Sequence, residues 1–301
     1  MSATAVAASI VVLGGALVDV RATTSAPWGP DQSLPGRVRC VPGGSARNVA
    51  VNLARLGHRV RLLTAVGADP LGDWLLRLTA EAGVDVAAVV RSALPTGTYV
   101  TVGADRGGSY CIADAGALEQ VTASQIEAWR PLVADAAMLV TDANLAEAVQ
   151  PAAAAMAGGR PRALLATSRV KAVRLRAVLA GAALLTCNRA EALALTGLPP
   201  TLGWQALGTA LLVEGVERVV ITRDRDGVGV LSPDEAVEAP AVATPVVDAT
   251  GAGDAAAAAA IHAVIHRLSV EQTAALVAAA AARAVGSEDN TPADLASVLN
   301  E

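Results

Sequence analysis

The stretch Asp248-Ala-Thr-Gly-Ala-Gly-Asp254 stands where an apolar run gives way to an alanine-rich one, and the fold follows from it. The run before it, Ala241–Val247, is typical of a buried strand. The run after it, Ala255–Leu268, favours a helix because alanine has the highest helix propensity. Two glycines and a carboxylate therefore lie at a predicted strand-to-helix junction, the repeating unit of α/β folds.

This junction has the chemistry of an anion site. The first turn of a helix presents unpaired N–H groups and partial positive charge, and glycine lets a phosphate approach the backbone closely. Gly251, Ala252 and Gly253 would supply the N–H groups. Asp254 would take a proton from a hydroxyl while those groups stabilise a transferring phosphoryl group. The segment thus indicates phosphorylation of an alcohol, with Asp254 as the base.

Two other interpretations of the segment stay open. Gly251-x-Gly253-x-x-Ala256 also fits the dinucleotide-binding fingerprint. That fingerprint expects an acidic residue about 20 positions further on, at the end of a strand, whereas Glu271 falls in a predicted helix. The other interpretation is a glycine-rich turn capped by an aspartate and without a ligand.

A second glycine segment, Pro42-Gly-Gly-Ser-Ala-Arg-Asn48, leads into an apolar stripe at helical spacing. Ser45 is the predicted N-cap of this helix, and Gly57 suits the position that ends it. Gly43 and Gly44 would let a small polyol lie against the backbone, with Asn48 bonding its hydroxyls. Asn52, on the same helix face, is predicted to bond only a neighbouring loop.

Strand-like and helix-like runs alternate along the chain, which predicts a mostly parallel sheet covered on both faces. The other predicted strands are Ile10–Leu13, Arg59–Ala65, Ala136–Thr141, Ala163–Ala166, Ala183–Thr186 and Arg218–Thr222. The other predicted helices are Trp74–Ala82, Ala123–Val133, Lys171–Ala180, Arg189–Thr196 and Leu202–Glu214. Three runs break the rhythm and are predicted to be antiparallel strands: Arg37–Val41, Thr98–Ala104 and Gly108–Ala113, the last two joined at Asp105-Arg-Gly107.

The two glycine segments resemble the N- and C-terminal signatures of the ribokinase-like (PfkB) sugar and nucleoside kinases. Between them, Gly67-Ala-Asp-Pro-Leu-Gly72 resembles that family's Gly-x-Asp-x-x-Gly turn, and Cys187-Asn-Arg-Ala-Glu191 resembles its Asn-x-x-Glu element. The resemblance covers essentially the whole chain. It implies a single domain over residues 1–301: a three-layer α/β/α sandwich with a mostly parallel central sheet. It also implies a small β-strand lid formed by about 14–42 and 96–114.

Shorter stretches are similar to those of pseudouridine kinases: Pro35-Gly-Arg-Val38, Thr96-Gly-Thr-Tyr-Val100 and Thr141-Asp-Ala-Asn-Leu145. The resemblance implies an ATP-dependent phosphotransferase with an alcohol acceptor, acting on the 5′-hydroxyl of a nucleoside and on pseudouridine before others. Kinases of a free sugar (ribose, fructose) or of another nucleoside (adenosine, uridine) are alternatives. A non-catalytic nucleoside-binding protein on the same fold is another.

The resemblance also assigns residues to roles. Asp19 follows the first predicted strand, at the edge where open α/β sheets bind ligands, and would hold sugar hydroxyls. The implied substrate-binding residues are Asp19, Gly43, Gly44, Asn48, Thr98, Asp142 and Asn144. ATP would contact Asn188, Lys171, Thr222 and Gly227; Mg²⁺ would be held by Glu191 through water; and a monovalent cation such as K⁺ would lie at Asp248 and Thr250.

The chain departs from the family pattern in two places. The family's Thr-x-Gly at the nucleotide site stands here as Thr222-Arg-Asp224. A carboxylate beside polyphosphate is repulsive, so Asp224 should weaken ATP binding unless the turn repacks or Arg223 or Arg225 compensates. Asp224 favours the non-catalytic alternative, whereas the intact Asp254 opposes it. Also, Leu165-Ala-Thr167 stands where many members have Asp-Pro.

Composition excludes several classes of protein. The net charge is −5 and no run is rich in Lys or Arg, so we expect no nucleic-acid partner. Asp254 and Arg283 interrupt the longest apolar runs, so we expect no membrane span. Three scattered cysteines are typical of free thiols in a reducing cytoplasm. The resemblance further implies a homodimer formed through the β lid.

His262 and His266 lie one helical turn apart, a spacing that can hold a metal. The residue after His262 is Ala263 rather than Glu, which excludes a zinc-protease motif. No third ligand is evident from the sequence, so the pair is predicted to lie in solvent or at the edge of the core.

Overall fold

The structure is a computed structural model that describes residues 9–25, 31, 33–104 and 109–300. The predicted joint at Asp105-Arg-Gly107 lies outside the described residues, as do parts of the predicted lid segment 14–42. The described strands are β1 (Ser9–Leu13), β2 (Leu17–Thr24), β3 (Arg37–Gly43), β4 (Arg59–Leu63), β5 (Ala65–Gly67), β6 (Val84–Asp85), β7 (Val90–Ser92), β8 (Thr98–Ala104), β9 (Ser109–Asp114), β10 (Met138–Asp142), β11 (Arg162–Leu165), β12 (Leu184–Asn188), β13 (Val219–Thr222), β14 (Val228–Leu231) and β15 (Ala236–Ala239).

The described helices are α1 (Ser45–Arg55), α2 (Pro70–Glu81), α3 (Gly116–Glu119), α4 (Ala123–Val133), α5 (Gln150–Met156), α6 (Arg189–Thr196), α7 (Trp204–Val213), α8 (Ala252–Ile265) and α9 (Val270–Val285). Short 3₁₀ segments lie at Glu147–Val149, Ala172–Val178, Asp224–Asp226 and Leu295–Leu299.

The main sheet has the strand order β15-β14-β13-β12-β11-β10-β1-β4-β6. Its strands are parallel except at β14, which pairs antiparallel with both of its neighbours. On the interior strand β1, Ile10 and Val12 pack into the core on one face, and Val11 and Leu13 pack into the core on the other. Because successive side chains point to opposite faces, a strand buried on both sides must be continuously apolar. The predicted mostly parallel, doubly covered sheet is confirmed.

Helices α1, α8 and α9 cover one face of this sheet, and α4 to α7 cover the other. The chain has no Phe, and alanines fill much of the first interface. Residues Ala255 to Ala260 of α8 are all buried. Small side chains let helix backbones approach one another closely, so α8 packs tightly against both α1 and α9.

A separate four-stranded sheet, in the order β3-β2-β8-β9, contains the strands that the sequence assigned to a lid. Strand β2 pairs antiparallel with β3 and parallel with β8, while β8 and β9 pair antiparallel. The predicted antiparallel arrangement therefore holds for two of these three pairings. We call this sheet the second sheet.

The predicted strand Ala241–Val247 is wrong. The chain forms β15 just before it and then runs from 240 to 250 without a ladder. Pro240 and Pro245 lack the N–H that a ladder needs, and the side chain of Val246 is 75% exposed. The segment is tied down where the N–H groups of Val247 and Asp248 both donate to the carbonyl of Val285. Asp254 is thus positioned by an extended connection rather than by a strand end.

Several element boundaries also differ from prediction. The N-cap of α1 is Gly44, with φ 92°, and Ser45 is the first helical residue without a side-chain cap bond. Helix α2 begins at Pro70, earlier than predicted, because Asp69 accepts a hydrogen bond from the Gly72 N–H at 2.8 Å.

The predicted helix Lys171–Ala180 is a 3₁₀ segment. Gly57 has φ 90° just after α1, which confirms it as the helix-ending glycine. No helix in the described ranges is both long enough and apolar enough to cross a membrane.

Candidate active site

The two glycine segments meet at one hydrogen bond. Asn48, in the first turn of α1, donates from Nδ2 to Oδ2 of Asp254, in the first turn of α8, at 2.8 Å. The two residues are 206 positions apart in the chain. The fold therefore joins the proposed base to the residue proposed to hold hydroxyl groups.

A buried arginine sets the orientation of Asn48. Arg47 is 3% exposed, and its Nη1 donates to Oδ1 of Asn48 at 3.1 Å, while its Nε donates to Oγ1 of Thr79 at 3.2 Å. Because the Asn48 oxygen is occupied by this donor, the amide NH₂ faces Asp254. Burial lowers the pKa of Arg47 to about 10, so the side chain remains cationic at neutral pH.

The surroundings of Asp254 disfavour its charged form. Burial raises the pKa of its carboxyl to about 7, although the hydrogen bond from Asn48 lowers it. Negative charge on Asp19, Asp142 and Glu191 raises it further. A carboxylate with a pKa near neutrality is suited to general-base catalysis, because it is both ionised and basic enough to accept a proton.

The start of α8 offers free donors. The N–H groups of Gly253 and Asp254 have no backbone acceptor among the described residues. Gly251 has φ 88°, and a Cβ there would lie 2.2 Å from the Asn290 carbonyl oxygen, so only glycine fits. Beside Gly253, by contrast, a Cβ would meet nothing within 4 Å. The helix start is therefore open to an anion, as the sequence predicts.

Two cavities meet at Asp254. The lid cavity, beside the second sheet, and the strand-end cavity, at the carboxyl ends of β11 to β13, are both lined by Ser45, Thr167, Gly253 and Asp254. The lid cavity is also lined by Asp19, Gly44, Asn48, Tyr99, Asn144, Lys171, Thr250 and Gly251. The strand-end cavity is also lined by Thr186, Cys187, Asn188, Glu191 and Thr222. Two ligands bound there would approach each other at the proposed base.

Asp19 projects from β2 at the lid cavity and is 7% exposed. Its Oδ2 accepts a hydrogen bond from Nδ2 of Asn290 at 3.1 Å. Burial raises the pKa of Asp19, although Arg21, with Nη2 3.8 Å from its Oδ2, lowers it. A Cβ on Gly43 would lie 2.1 Å from Asp19 Oδ1, so Gly43 makes room for this carboxylate, and Gly44 rather than Gly43 lines the cavity.

Asp142 is fully buried behind the lid cavity and holds the residue in front of it. It accepts hydrogen bonds from the Gly15 N–H at 3.0 Å and from the Asn144 backbone and side-chain amides at 2.9 and 2.8 Å. Lys171 Nζ donates to Asn144 Oδ1 at 2.7 Å. Asn144 and Lys171 therefore reach the cavity as a pair, and Asp142 positions Asn144.

Asn188 and Glu191 start helix α6 with reciprocal hydrogen bonds. The Glu191 N–H donates to Asn188 Oδ1 at 2.9 Å, and the Asn188 N–H donates to Glu191 Oε2 at 2.8 Å. Both residues also line the strand-end cavity. Burial raises the pKa of Glu191, so a cation nearby would stabilise its ionised form. Its second carboxylate oxygen suits Mg²⁺, which prefers oxygen ligands and retains part of its water shell.

Thr167 occupies the junction of the cavities in a strained conformation. Its φ is 58°, which is unfavourable for a β-branched residue, and its buried Oγ1 has no hydrogen-bond partner within the residues that the structure describes. A strained residue with an unsatisfied hydroxyl at the meeting point of two cavities fits a ligand oxygen there. The sequence signal was the departure at Leu165-Ala-Thr167, which did not by itself suggest this role.

The turn after β13 is arranged differently from the predicted nucleotide contact. Thr222 lines the strand-end cavity, but Asp224 and Gly227 line neither cavity. Arg223 pairs with Glu238 at 2.6 Å and lies over the Trp204 ring at 5.3 Å. Asp224 is exposed and has φ 51°. Asp224 therefore lies outside both cavities, and its effect on ATP binding stays a prediction.

Both carboxylate oxygens of Asp248 accept hydrogen bonds within the protein. Its Oδ2 accepts a hydrogen bond from Arg21, and its Oδ1 accepts one from the Thr250 N–H at 2.8 Å. Each oxygen accepts one hydrogen bond and keeps a further lone pair, so the monovalent-cation site at Asp248 and Thr250 stays a prediction. Thr250 also lines the lid cavity.

Some contacts were not foreseen from the sequence. Tyr99, not Thr98, lines the lid cavity, because Tyr99 pairs with Asp19 across β2 and β8 and so shares its face, while Thr98 pairs with the buried Val18. Asn290 reaches Asp19 from 271 positions away. Among the described residues Asn52 bonds no loop, contrary to the prediction, since both of its side-chain polar atoms are buried there without a hydrogen-bond partner.

Comparison with known proteins agrees with this geometry. A family model described as pfkB family carbohydrate kinase matches residues 7–294. The chain is 30% identical over 253 residues to a pseudouridine kinase of Escherichia coli (strain K12), an alignment that covers 82% of this chain and 80% of that protein.

Two solved structures have the same fold. A carbohydrate kinase from Agrobacterium tumefaciens matches with a TM-score of 0.82 at 30% identity, covering 96% of each chain. A ribokinase of Arabidopsis thaliana, complexed with ribose and ATP, matches with a TM-score of 0.82 at 23% identity, covering 98% of each chain. The predicted ribokinase-like α/β sandwich is confirmed, and the chain belongs to the pfkB family of carbohydrate kinases and is an ATP-dependent phosphotransferase.

Proposed function

We propose that this enzyme transfers the γ-phosphoryl group of ATP to the 5′-hydroxyl of a nucleoside, pseudouridine before others. The observation that supports this most is the 2.8 Å hydrogen bond between Asn48 and Asp254 at the junction of the two cavities. Because Asp254 lies at that junction, the proposed base is close both to an acceptor in the lid cavity and to a phosphate in the strand-end cavity. The similarity to a pseudouridine kinase supports the choice of acceptor.

In this proposal, Asp19 and Asn48 hold the ribose in the lid cavity, with Asn144, Lys171 and Gly44 beside them. Asp254 accepts the proton of the 5′-hydroxyl while the hydroxyl oxygen attacks the γ-phosphorus. The bond between that phosphorus and the β,γ-bridging oxygen breaks, and ADP leaves with that oxygen. The open N–H groups of Gly253 and Asp254 stabilise charge on the phosphoryl oxygens. Mg²⁺ would be held near Glu191 through water and, when bound, neutralises phosphate charge.

A free sugar is the second candidate acceptor. The family description and several relatives name carbohydrate or ribose kinases, and the contacts proposed for the ribose ring would serve a free pentose equally. Tyr99 is the feature that favours a nucleoside, because its aromatic side chain lines the same cavity as Asp19 and a base can pack against it. The non-catalytic alternative rested on a repulsive Asp224 beside the polyphosphate, and the position of Asp224 outside both cavities argues against it.

The proposal is tested by measuring ADP release with ATP and Mg²⁺ over pseudouridine, uridine, adenosine, ribose and fructose. We expect the highest kcat/KM with pseudouridine. A higher value with ribose or fructose would replace the nucleoside with a free sugar. Calorimetric binding of pseudouridine without turnover on any acceptor would favour the non-catalytic binding protein.

The pKa of Asp254 predicts a pH dependence. The base must be deprotonated, so kcat/KM should rise with pH and reach its plateau above about pH 7. Asn48→Ala removes the hydrogen bond that lowers this pKa, so its acid limb should move to higher pH even where its KM also rises. Rate profiles of wild type, Asn48→Ala and the exposed control Asn300→Ala would show this. An acid limb near pH 4, or one that Asn48→Ala leaves in place, contradicts the assignment.

From the position of Asp224 outside both cavities, we expect Asp224→Gly to change the Kd of ATP by less than about threefold. Asp224 lines neither cavity, and an exposed charge is screened over about 8 Å at physiological ionic strength. Calorimetric titration of ATP into wild type, Asp224→Gly and the neighbouring control Asp226→Gly measures it. If only Asp224→Gly tightened ATP binding several-fold, Asp224 would face the polyphosphate after all.

We keep three broader expectations as proposals: a cytoplasmic protein, no nucleic-acid partner, and a homodimer through the second sheet. The last is supported by exposed apolar side chains on that sheet, since Val38 is 68% exposed and Ile112 is 71% exposed.

A further inference from the structure

All three histidines of the chain lie together. His262 and His266 stand at the C-terminal end of α8, and His58 follows α1, 204 positions before His262. No third ligand for the pair on α8 is evident from the sequence, because His58 comes close only when α1 packs against α8. The pair lies at the edge of the core as predicted, with a third histidine beside it.

The three rings form one cluster, with ring centroids 4.2 Å apart for His262 and His266 and 5.0 Å apart for His58 and His262. His58 Nε2 lies 3.0 Å from His262 Nδ1, and one nitrogen of each ring lies within 4.8 Å of the others. Zn²⁺ takes imidazole nitrogens at about 2.0–2.1 Å in tetrahedral sites, which puts two ligand nitrogens about 3.3–3.4 Å apart. The closest pair, at 3.0 Å, is hydrogen-bonded, so His58 and His262 would have to exchange that hydrogen bond for the ion, and His266 would have to turn toward them.

The surroundings of the rings leave them available to a metal. His58 and His262 are 6% and 9% exposed, and in the described ranges neither ring has a hydrogen bond to an oxygen atom. His58 Nδ1 is buried and has no hydrogen-bond partner in the part of the chain that the structure describes. His266 is partly exposed, so an ion can enter from its side. A set of three imidazoles without a carboxylate disfavours Mg²⁺ and Ca²⁺ and suits Zn²⁺.

We propose that His58, His262 and His266 bind one Zn²⁺, with water as the fourth ligand. The site is not catalytic. It lies 8 to 12 residues along α8 from Asp254, which is about 12–18 Å at 1.5 Å per residue. The ion would tie the end of α1 to the end of α8, the two helices whose other ends carry Asn48 and Asp254. Its role is to stabilise that helix pair.

The test uses the full untagged chain, stripped of metal with a chelator and then titrated with Zn²⁺ by calorimetry. We expect one ion per chain and a higher melting temperature with the ion bound. Co²⁺ in place of Zn²⁺ should give the visible absorption of a tetrahedral site without a thiolate charge-transfer band. Failure of the wild type to bind Zn²⁺, or a thiolate band that Cys40→Ser with Cys111→Ser removes together with the binding, overturns the proposal.

The matched variants are His266→Gln and the exposed control Glu271→Gln. His266 is partly exposed, so its substitution should leave the fold intact, which the melting temperature of the metal-free protein checks. Loss of a direct ligand should weaken Zn²⁺ binding by more than about tenfold, since even loss of an outer partner of a ligand costs about that much. Equal affinity in His266→Gln and wild type overturns the site. Phosphoryl transfer by metal-stripped His266→Gln should remain unchanged.

Discussion

Asp254→Asn is expected to lower kcat by about 10²–10⁴-fold, the usual contribution of a general base, while the acceptor still binds. The amide keeps the size and polarity of the carboxylate, and its oxygen can still accept the hydrogen bond that Asn48 now donates at 2.8 Å. What is lost is the group that takes the proton. Rates of ADP release give kcat, and calorimetric titration gives the affinity for the acceptor.

The matched control for this variant is Asp135→Asn, an exposed aspartate between α4 and β10. It should behave as wild type in both measurements. Should Asp254→Asn retain more than about a tenth of the wild-type kcat, Asp254 would not be the base. Loss of acceptor binding together with turnover would instead indicate that the side chain is needed to shape the site.

Asp19→Ala is expected to raise KM for the acceptor by roughly 10- to 100-fold and to leave KM for ATP unchanged, because hydrogen bonds to a charged group are worth about 1.5–3 kcal/mol. In the structure, the residues that contact Asp19 keep other partners when its side chain is removed, so a change in KM can be assigned to the lost contact with the acceptor. Arg21 keeps its hydrogen bond to Asp248 when Asp19 is removed, so no cation is left without a partner. Asn290 loses one acceptor but can still donate to the Pro42 carbonyl.

Asp234→Asn, at an exposed turn between β14 and β15, is the control for the substrate series. Asp19→Asn should give an intermediate KM, since an amide can still accept a hydrogen bond from a hydroxyl. If KM for ATP rose in parallel with KM for the acceptor, Asp19 would be maintaining the second sheet rather than holding the sugar.

The parts of the site that lie within one short segment could be predicted from the sequence. Gly251 to Asp254 lie at the start of α8. Asn188 and Glu191 lie at the start of α6 and both line the strand-end cavity. These positions were predictable because the residues that start a helix are close together in the sequence. The doubly covered sheet was predictable for the same reason, since strand alternation and continuous apolar runs are local signals. By contrast, Ala241–Val247 has strand composition but forms no ladder, which Pro240 and Pro245 already disfavour and the absence of a paired strand in the described residues completes.

Contacts between segments that are distant in the chain could not be predicted from the sequence. Arg47 orients Asn48 because both are buried against Thr79 and Asp254, which no motif indicates. Asn290 meets Asp19, and His58 meets His262, only after the helices have packed. The turn at Asp224 is held by an ion pair between Arg223, just after β13, and Glu238 on β15, with β14 lying between the two strands.

The separation of Asn48 and Asp254 along the chain also bears on how the protein is made. A ribosome adds about 5–20 residues per second, so Asn48 waits about 10–40 s for its partner, which is 206 residues downstream. During that interval the face of α1 that α8 later covers has no partner, and this is when a nascent chain is most exposed to misassembly and most in need of a chaperone. With Asp254 as the proposed base, a chain released before that residue is synthesised lacks the base, however well the segment around α1 has folded.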